Sequence, residues 1–223
     1  HRELLDTALA DFSVTPQHDL NMMRANQDLF HTTSAVLLGL RDILRSIRPN
    51  WVVVQGDTTT CFAGALAAFY EKIPVAHVEA GLRTGQRYSP FPEEINRRLA
   101  GVLADVHFAP TGRARDNLLR EGIAEADVLV TGNTGIDALR WILEHRRADF
   151  DACLPPAAAA AVHGRFLLLT THRRESFGGP MLEALAAVRE VCEATPGLNV
   201  IFPVHPNPNV RAQVRQVLAN VGQ

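Results

Sequence analysis

Carboxylates and basic side chains occur at a few turns of this 223-residue chain. Asp57, Glu79 and Glu93 lie in the first half, whereas His172 and Arg173 lie in the second. Carboxylates whose proton affinities differ can serve as general acid and general base, and cations can stabilise an anionic leaving group. These residue types therefore predict proton-transfer chemistry on a ligand that carries negative charge.

The candidate residues follow predicted β-strands, and ligands of open α/β sheets bind beyond the carboxyl ends of strands. The strand ends with polar residues are 56–60, 79–83, 132–134, 171–175 and 205–209. We therefore expect a cleft between two domains, with acid/base groups on one wall and anion-binding groups on the other.

Each carboxylate also has a simpler structural interpretation. Asp57 precedes three threonines and could cap a helix. Glu93 with Arg97, or Glu94 with Arg98, could form ordinary i, i+4 pairs in a first helical turn. Both interpretations stay open at the level of sequence.

The basic residues have alternatives of the same kind. Arg173 and its neighbour Arg174 could be a solvated surface pair, and His205 before a proline could be a turn residue. His77 and His107 lie inside strand patterns, which favours hydrogen-bonded core histidines. No metal-ligand spacing supports a site at His172 and His205, so no metal is expected.

Strands that alternate with helices of 10–15 residues predict an α/β fold with Rossmann-like, doubly wound parallel sheets. The apolar run 51–54, Trp51 followed by three β-branched valines, predicts a strand buried on both faces. The predicted strands are 51–54, 75–78, 107–109, 128–130, 166–170 and 199–204, and the predicted helices are 1–9, 33–48, 59–70, 92–104, 111–120, 134–145, 181–194 and 208–220.

The rhythm of strands and helices changes once along the chain. Residues 149–164 hold two adjacent prolines and five consecutive alanines, and this stretch is predicted to join two domains. We expect a first Rossmann-like domain over 1–148. Residues 165–223 contain too few strands for a complete domain and are expected to be the beginning of a second Rossmann-like domain.

Composition excludes several classes of protein. The net charge is −2 with 22 basic and 24 acidic residues, so no overall field attracts nucleic acid or an anionic membrane. The three cysteines form no disulfide framework, which fits a reducing cytoplasm. No apolar run approaches 18 residues, so neither a membrane span nor a signal peptide is expected.

Several runs together resemble one family, the non-hydrolysing UDP-N-acetylglucosamine 2-epimerases. They occur in the family's order at 56–60 (Gly-Asp-Thr-Thr-Thr), 77–85, 88–97, 132–137, 172–176 and 203–208. The resemblance implies a glycosyltransferase-B-like architecture of two Rossmann-type domains, usually a homodimer. It implies that the domain over 1–148 lacks its first strand and that the incomplete second domain, 165–223, binds UDP. It also implies that the family's opening strand and its nucleotide-binding Ser-Gly-Gly segment lie outside these residues, so the chain made alone is expected to be inactive.

The resemblance implies interconversion of UDP-GlcNAc and UDP-ManNAc for polysaccharide precursors, by elimination of UDP to a 2-acetamidoglucal and re-addition. No cofactor or metal is implied, and the ligand is a UDP-sugar. A hydrolysing epimerase, a related glycosyltransferase and a non-catalytic UDP-sugar-binding fragment stay open as alternatives. The residues that match the family's catalytic positions are Asp57, Glu79, Glu93, Arg97 and His172.

The family's other functional positions are matched in part. The resemblance assigns substrate contacts to Arg83, Asn133, Arg173 and Glu175. It assigns an allosteric site for the substrate to His1, Arg2 and His205. Asn26 departs from the arginine that the family often has there, and this leaves allosteric activation an open question.

Overall fold

Two compact units make up the chain, residues 1–145 and residues 146–223. The computed structural model describes residues 2–22, 27–146, 150–171, 178–205 and 207–218. Both units alternate helices with parallel strands, which confirms the predicted α/β class with parallel sheets.

The element bounds follow the sequence pattern closely. The described strands are β1 (Val52–Gln55), β2 (Val75–Val78), β3 (Val106–Ala109), β4 (Val128–Val130), β5 (Phe166–Leu168) and β6 (Asn199–Ile201). The described helices are α1 (Arg2–Asp11), α2 (Leu29–Ile47), α3 (Thr59–Tyr70), α4 (Glu93–Leu103), α5 (Gly112–Arg120), α6 (Thr134–His145), α7 (Phe150–Cys153), α8 (Pro156–Ala161), α9 (Gly179–Ala194) and α10 (Pro208–Leu218).

Helices α3, α4 and α5 pack on one face of the first sheet, whose strand order is β1-β2-β3-β4. The parallel register aligns Val54 with His77 and His77 with His107, so these side chains point to the same face. Val54 packs with residues of α3 and α4, and Val128, the register partner of His107, packs with α5. Because β1 to β4 follow one another across the sheet, right-handed connections place α3, α4 and α5 on the same face.

The predicted burial of the strand at 51–54 on both faces is wrong. Val54 is 8% exposed beneath α3, but Val53 is 64% exposed and Trp51 is 47% exposed. Strand β1 lies at the edge of the described sheet, and Val53 points away from the face that α3, α4 and α5 cover. A continuous apolar run therefore does not by itself establish two covered faces.

Small residues bring helices close to the sheet. Helix α3 carries buried alanines, and Val54 Cγ1 lies 3.5 Å from where a Cβ on Gly64 would stand. Gly81 has φ +85°, and a Cβ there would lie 2.2 Å from the backbone oxygen of Ala114 at the start of α5. Glycine at position 81 therefore allows α5 to approach the loop that follows β2.

A cavity of about 640 Å³ lies at the amino edge of the first sheet, between the ends of α3 and α4. Phe69, Tyr70 and Val102 around it are 58%, 66% and 79% exposed. Asp105 forms two hydrogen bonds with the backbone of Val75 nearby. Its Oδ2 accepts the Val75 N–H at 2.8 Å, and its own N–H donates to Val75 O at 2.8 Å. This edge combines exposed apolar side chains with a carboxylate that binds backbone.

The second unit has a core of its own. Met181, Leu185 and Val210 are fully buried, and they join α9 and α10 beside the parallel pair of β5 and β6. The stretch predicted as a junction, 149–164, contains the short helices α7 and α8. No helix among the described residues has the length and apolar character needed to cross a membrane.

Candidate functional site at the carboxyl edge of the first sheet

The turn after β1 is fixed from two sides. Gly56 has φ +76°, and its carbonyl accepts hydrogen bonds from His77 Nε2 at 2.7 Å and from Cys61 Sγ at 3.2 Å. A positive φ at this position suits glycine, and the two donors satisfy a carbonyl that β1 no longer pairs. The turn holds Asp57 immediately beyond the strand.

Asp57 contacts Arg97, which belongs to α4 and lies 40 residues further along the chain. The Arg97 guanidinium is largely buried, with 11% of the side chain exposed. Thr58, not Asp57, caps α3, because its side chain accepts the Cys61 N–H at 3.2 Å. The capping interpretation of Asp57 is therefore wrong, and its carboxylate is available for an ion pair.

Glu79 is the first residue after β2, in line with Gly56 of the neighbouring strand. Its φ of +65° is left-handed, a conformation that costs a non-glycine residue about 1–3 kcal/mol. Its Oε2 lies 3.6 Å from where a Cβ on Gly56 would stand, so its carboxylate is beside the turn that carries Asp57. Such strain at a polar residue beside an ion pair is typical of functional sites.

Glu93 begins α4 one helical turn before Arg97 and therefore shares its face. Its side chain forms no hydrogen bond or ion pair with another described residue. Arg97 instead pairs with Asp57 and with Glu94, so the predicted Glu93–Arg97 pair is wrong. The alternative pair is present, with Arg98 Nε 3.6 Å from Glu94 Oε1.

Glu94 is the functional candidate that sequence reasoning missed. It is fully buried, and its carboxylate accepts the backbone N–H groups of Thr84 at 3.0 Å and Gly85 at 3.2 Å. In the sequence, the one signal at Glu94 is that it is the second of two adjacent acidic residues at the start of a helix. That signal suggests a surface residue, because it contains nothing about the loop that folds over the helix.

The two strand histidines are buried, as expected, but their hydrogen bonding is incomplete. His77 Nδ1 and His107 Nδ1 have no hydrogen-bond partner among the described residues. Burial lowers the pKa of His77 despite its bond to the Gly56 carbonyl. Burial, together with repulsion from His77, lowers the pKa of His107 to about 4. Both rings are therefore neutral near pH 7.

Cys61 lies under the same turn but is no nucleophile. Burial raises the pKa of its thiol to about 12, and the nearby carboxylates of Asp57 and Glu79 act in the same direction. A thiol of this kind is protonated at neutral pH and donates to Gly56 O. Its role is to support the turn.

Arg83 forms an ion pair with Glu121 and not with Asp57. Its Nε and Nη2 lie 2.8 Å and 2.6 Å from the two carboxylate oxygens of Glu121, a bidentate arrangement. Only 7% of its side chain is exposed. It lines a cavity of about 340 Å³ together with Arg98, Arg113 and Arg120. The structure therefore gives Arg83 a basic cavity rather than a contact with Asp57.

Asn133 lies at the start of α6, where its Oδ1 accepts the Gly135 N–H at 2.8 Å. The next residue, Thr134, accepts a hydrogen bond from Gln55 Nε2 at 3.0 Å. The end of β1 therefore meets the start of α6, and Asn133 belongs to the carboxyl edge of the sheet. Its side chain is exposed.

The remaining predicted site residues belong to the chain ends or to the second unit. His205 follows β6, and its Nδ1 accepts the Asn207 N–H at 3.2 Å. Arg2 opens α1, although its side chain is outside the description. His1, His172, Arg173 and Glu175 lie outside the described residues.

The carboxyl edge thus unites Asp57, Glu79 and Arg97, with Glu93 on the same face of α4 as Arg97. Carboxylates beside a buried guanidinium can exchange protons with a ligand and stabilise its negative charge. Within the described part of the chain, no three His, Cys, Asp or Glu side chains group as metal ligands do.

These features define an α/β protein whose candidate site lies at the carboxyl edge of a parallel sheet. The family model described as UDP-N-acetylglucosamine 2-epimerase matches residues 1–223. The chain belongs to the UDP-N-acetylglucosamine 2-epimerase family.

Individual relatives agree with this assignment. The UDP-N-acetylglucosamine 2-epimerase of Escherichia coli strain K12 is 46% identical over 227 residues, which cover 99% of this chain and 60% of that protein. A Thermotoga maritima relative is 52% identical over 221 residues, which cover 99% of this chain and 58% of that protein. The chain therefore spans about 58–60% of the length of these relatives.

A solved structure gives the same result in three dimensions. The UDP-GlcNAc 2-epimerase of Neisseria meningitidis, bound to UDP-GlcNAc, matches with a TM-score of 0.90 at 42% identity. The match covers 100% of this chain and 60% of the Neisseria chain.

Proposed function

We propose that the whole protein is a non-hydrolysing epimerase that interconverts UDP-GlcNAc and UDP-ManNAc. Family membership supports the substrate, since the Neisseria relative was solved with UDP-GlcNAc bound. The observation that carries the proposal is the contact between Asp57 and the buried Arg97 beside Glu79. These are the acid/base and charge-stabilising groups that the reaction needs.

The proposed reaction begins with loss of the proton at C2 of the sugar. No carbonyl adjoins C2, so the electron pair needs another acceptor, and the departing UDP at C1 provides one. A carboxylate takes the proton while the C1–O bond breaks, which gives 2-acetamidoglucal and UDP. Return of a proton to the opposite face of C2, with re-addition of the UDP oxygen at C1, inverts that carbon and restores all atoms.

Asp57, Glu79 and Glu93 are the proposed proton donors and acceptors. Glu79 and Glu93 form no ion pair with a described residue, so each can offer its carboxylate to a ligand. Arg97 would stabilise negative charge on the departing UDP, as would His172 and the weaker candidate Arg173. The neutral, buried His77 supports the Asp57 turn and is not proposed to transfer protons.

Further assignments extend the proposal to the whole protein. Arg83, Asn133 and Glu175 are proposed substrate contacts, and His1, Arg2 and His205 a proposed site for activation by UDP-GlcNAc. No cofactor is required, and a cytoplasmic protein that supplies polysaccharide precursors is expected. A homodimer is proposed as well, and light scattering after size-exclusion chromatography measures that state directly.

The decisive experiment incubates the whole protein with UDP-GlcNAc in D₂O and follows the products by NMR. The proposal requires UDP-ManNAc that carries deuterium at C2, because a proton abstracted by a carboxylate exchanges with solvent before return. UDP-ManNAc without deuterium at C2 would indicate an oxidation–reduction route and would contradict the mechanism.

Other products would identify the alternative functions. Free ManNAc together with UDP indicates a hydrolysing epimerase. Transfer of the sugar to an added acceptor, without epimerisation, indicates a glycosyltransferase. Binding of UDP-GlcNAc by calorimetry without any turnover indicates a protein that only binds UDP-sugars.

A further inference from the structure

A buried carboxylate that the mechanism above does not use lies between the basic cavity and the Asp57–Arg97 pair. We propose that Glu94 is a positioning residue of the catalytic centre, which fixes the Arg97 guanidinium against Asp57 and ties it to the backbone of loop 84–85. This inference rests on the proposed function, since it assigns Glu94 a part in the same reaction.

The contacts of Glu94 use both of its oxygens. Oε2 accepts the Thr84 N–H at 3.0 Å and faces Arg97 Nη1 at 3.3 Å. Oε1 accepts the Gly85 N–H at 3.2 Å and lies 3.6 Å from Arg98 Nε. Only 1% of the side chain is exposed, so protein groups rather than solvent satisfy this carboxylate.

Glu94 is held in its ionised form. Burial alone would raise the pKa of the carboxyl group. The backbone amides of Thr84 and Gly85, the Thr84 hydroxyl and Arg97 outweigh that effect and hold the pKa of Glu94 below its usual range. The site therefore contains a fixed, buried negative charge. An acid in the first helical turn that only interacts with the helix dipole does not need to be buried.

Arg97 divides its guanidinium between two carboxylates. Nη1 faces Glu94 and Nη2 contacts Asp57, so the plane of the group is set from both sides. Because Glu94 is itself held by two loop amides, the contacts run without a break from loop 84–85 through Glu94 and Arg97 to Asp57. Loss of Glu94 would leave the guanidinium free to reorient about Asp57.

The second consequence is electrostatic. With Glu94 ionised, the single positive charge of Arg97 is shared by two carboxylates and does not fully neutralise Asp57. Removal of the Glu94 charge leaves Asp57 as the one described carboxylate that pairs with Arg97, and this closer pairing leaves less of the guanidinium charge for the departing UDP. Both consequences lower turnover, and neither involves contact between Glu94 and substrate.

The test compares Glu94→Gln with wild type in the whole protein, after wild-type epimerisation of UDP-GlcNAc has been established. We expect kcat to fall about 10- to 100-fold, the range for a displaced catalytic group, while KM changes less than about threefold. The matched control is Glu71→Gln, at the C-terminal end of α3, which removes the charge from a carboxylate 2.8 Å from Arg45 and leaves kcat unchanged.

A double-mutant cycle separates positioning from a merely structural role. If Glu94 acts through Arg97, Glu94→Gln has little further effect on kcat once Arg97→Lys is present. Additive losses, or a kcat for Glu94→Gln within about threefold of wild type, overturn the inference. Inactive wild type would instead refute the proposed function.

A second variant carries the test if Glu94→Gln does not fold. Glu94→Asp keeps the buried charge, but its shorter side chain cannot reach both loop amides and Arg97. The inference again requires a lower kcat with little change in KM. A kcat equal to that of wild type overturns it.

Discussion

The two edges of the first sheet are built from the same strands but use their polar groups differently. At the amino edge, Asp105 exchanges two hydrogen bonds with the Val75 backbone, among exposed apolar side chains. At the carboxyl edge, Glu79 is held in a left-handed conformation and makes no ion pair with a described residue. Polar groups at one edge complete the fold, whereas those at the other edge are kept available at some cost in stability.

The difference teaches how a carboxylate can be judged from its surroundings. A carboxylate that binds local backbone, as Asp105 does, satisfies a group that the sheet leaves unpaired. A carboxylate that pairs with a buried guanidinium and caps no helix, as Asp57 does, indicates a site for a ligand. The following predictions test this contrast, from the largest expected effect to the smallest.

The largest effect is expected from the 223 residues made as an isolated polypeptide. They should show no turnover of UDP-GlcNAc above a control without enzyme, whereas the proposed function requires turnover by the whole protein in the same assay. Ligand pockets normally bury about 70–90% of a ligand's surface, and the chain spans about 58–60% of its relatives. Turnover by the isolated polypeptide would mean that the carboxyl edge is sufficient.

Glu93→Gln in the whole protein should lower kcat by about 10²–10⁴, the usual cost of losing a general acid or base. Binding of UDP, measured by calorimetry, should persist. A role limited to the helix dipole is worth only about 0.3–1 kcal/mol.

The matched control for Glu93 is Glu125→Gln, which alters an exposed partner of Arg115 and should leave kcat unchanged. If Glu93→Gln retains more than about a tenth of the wild-type rate, Glu93 has only the structural role.

Stability should fall as the pH is lowered from about 6.5 towards 4. The pKa of His107 is about 4 in the folded chain and about 6.5 when exposed, so in this window the unfolded state binds the extra proton. The loss approaches about 3 kcal/mol in the free energy of unfolding. Denaturant titrations at pH 7 and pH 4 measure it.

The variant His107→Gln should show a shallower dependence of stability on pH than wild type. Some dependence should persist, because burial also lowers the pKa of His77. An unchanged slope would show that His107 is not the neutral, buried group described.

Asp105→Ala should lower the free energy of unfolding by about 1–3 kcal/mol, because the buried Val75 N–H loses its acceptor. Asp105→Asn keeps an acceptor oxygen and should cost less. Neither change should alter kcat, since this edge serves the fold. A fall in kcat at unchanged stability would remove the contrast between the two edges.

Local patterns predicted much of the fold. The bounds of α3, β2, β4 and α6 agree with their expected ranges, because capping residues and β-branched runs are local signals. Helix α2 begins earlier than expected, at Leu29. Asp28 caps it by accepting the His31 N–H at 2.7 Å, and the exposed Phe30 conceals the apolar periodicity there.

From local pattern alone, the candidate site was predictable only where residues follow strands; Arg97 and Glu93 were expected on the family resemblance. Asp57 is the second residue after β1 and Glu79 is the first after β2, so the parallel topology brings them together. The choice of partner was not predictable, because Arg97 pairs with Asp57, 40 residues away, and with Glu94 at i, i+3, but not with Glu93 at i, i+4. Burial of Glu94 depends on the fold of loop 84–85, which local periodicity does not encode.

Gly81 gives the fold a consequence at the level of the gene. Every single-nucleotide change of a glycine codon that replaces the residue either introduces a Cβ or stops translation. A Cβ at position 81 would stand 2.2 Å from the Ala114 carbonyl oxygen, in a backbone conformation with φ +85°. We therefore expect a saturation-mutagenesis library selected for function to lose every missense codon at this position, while synonymous glycine codons remain freely interchangeable.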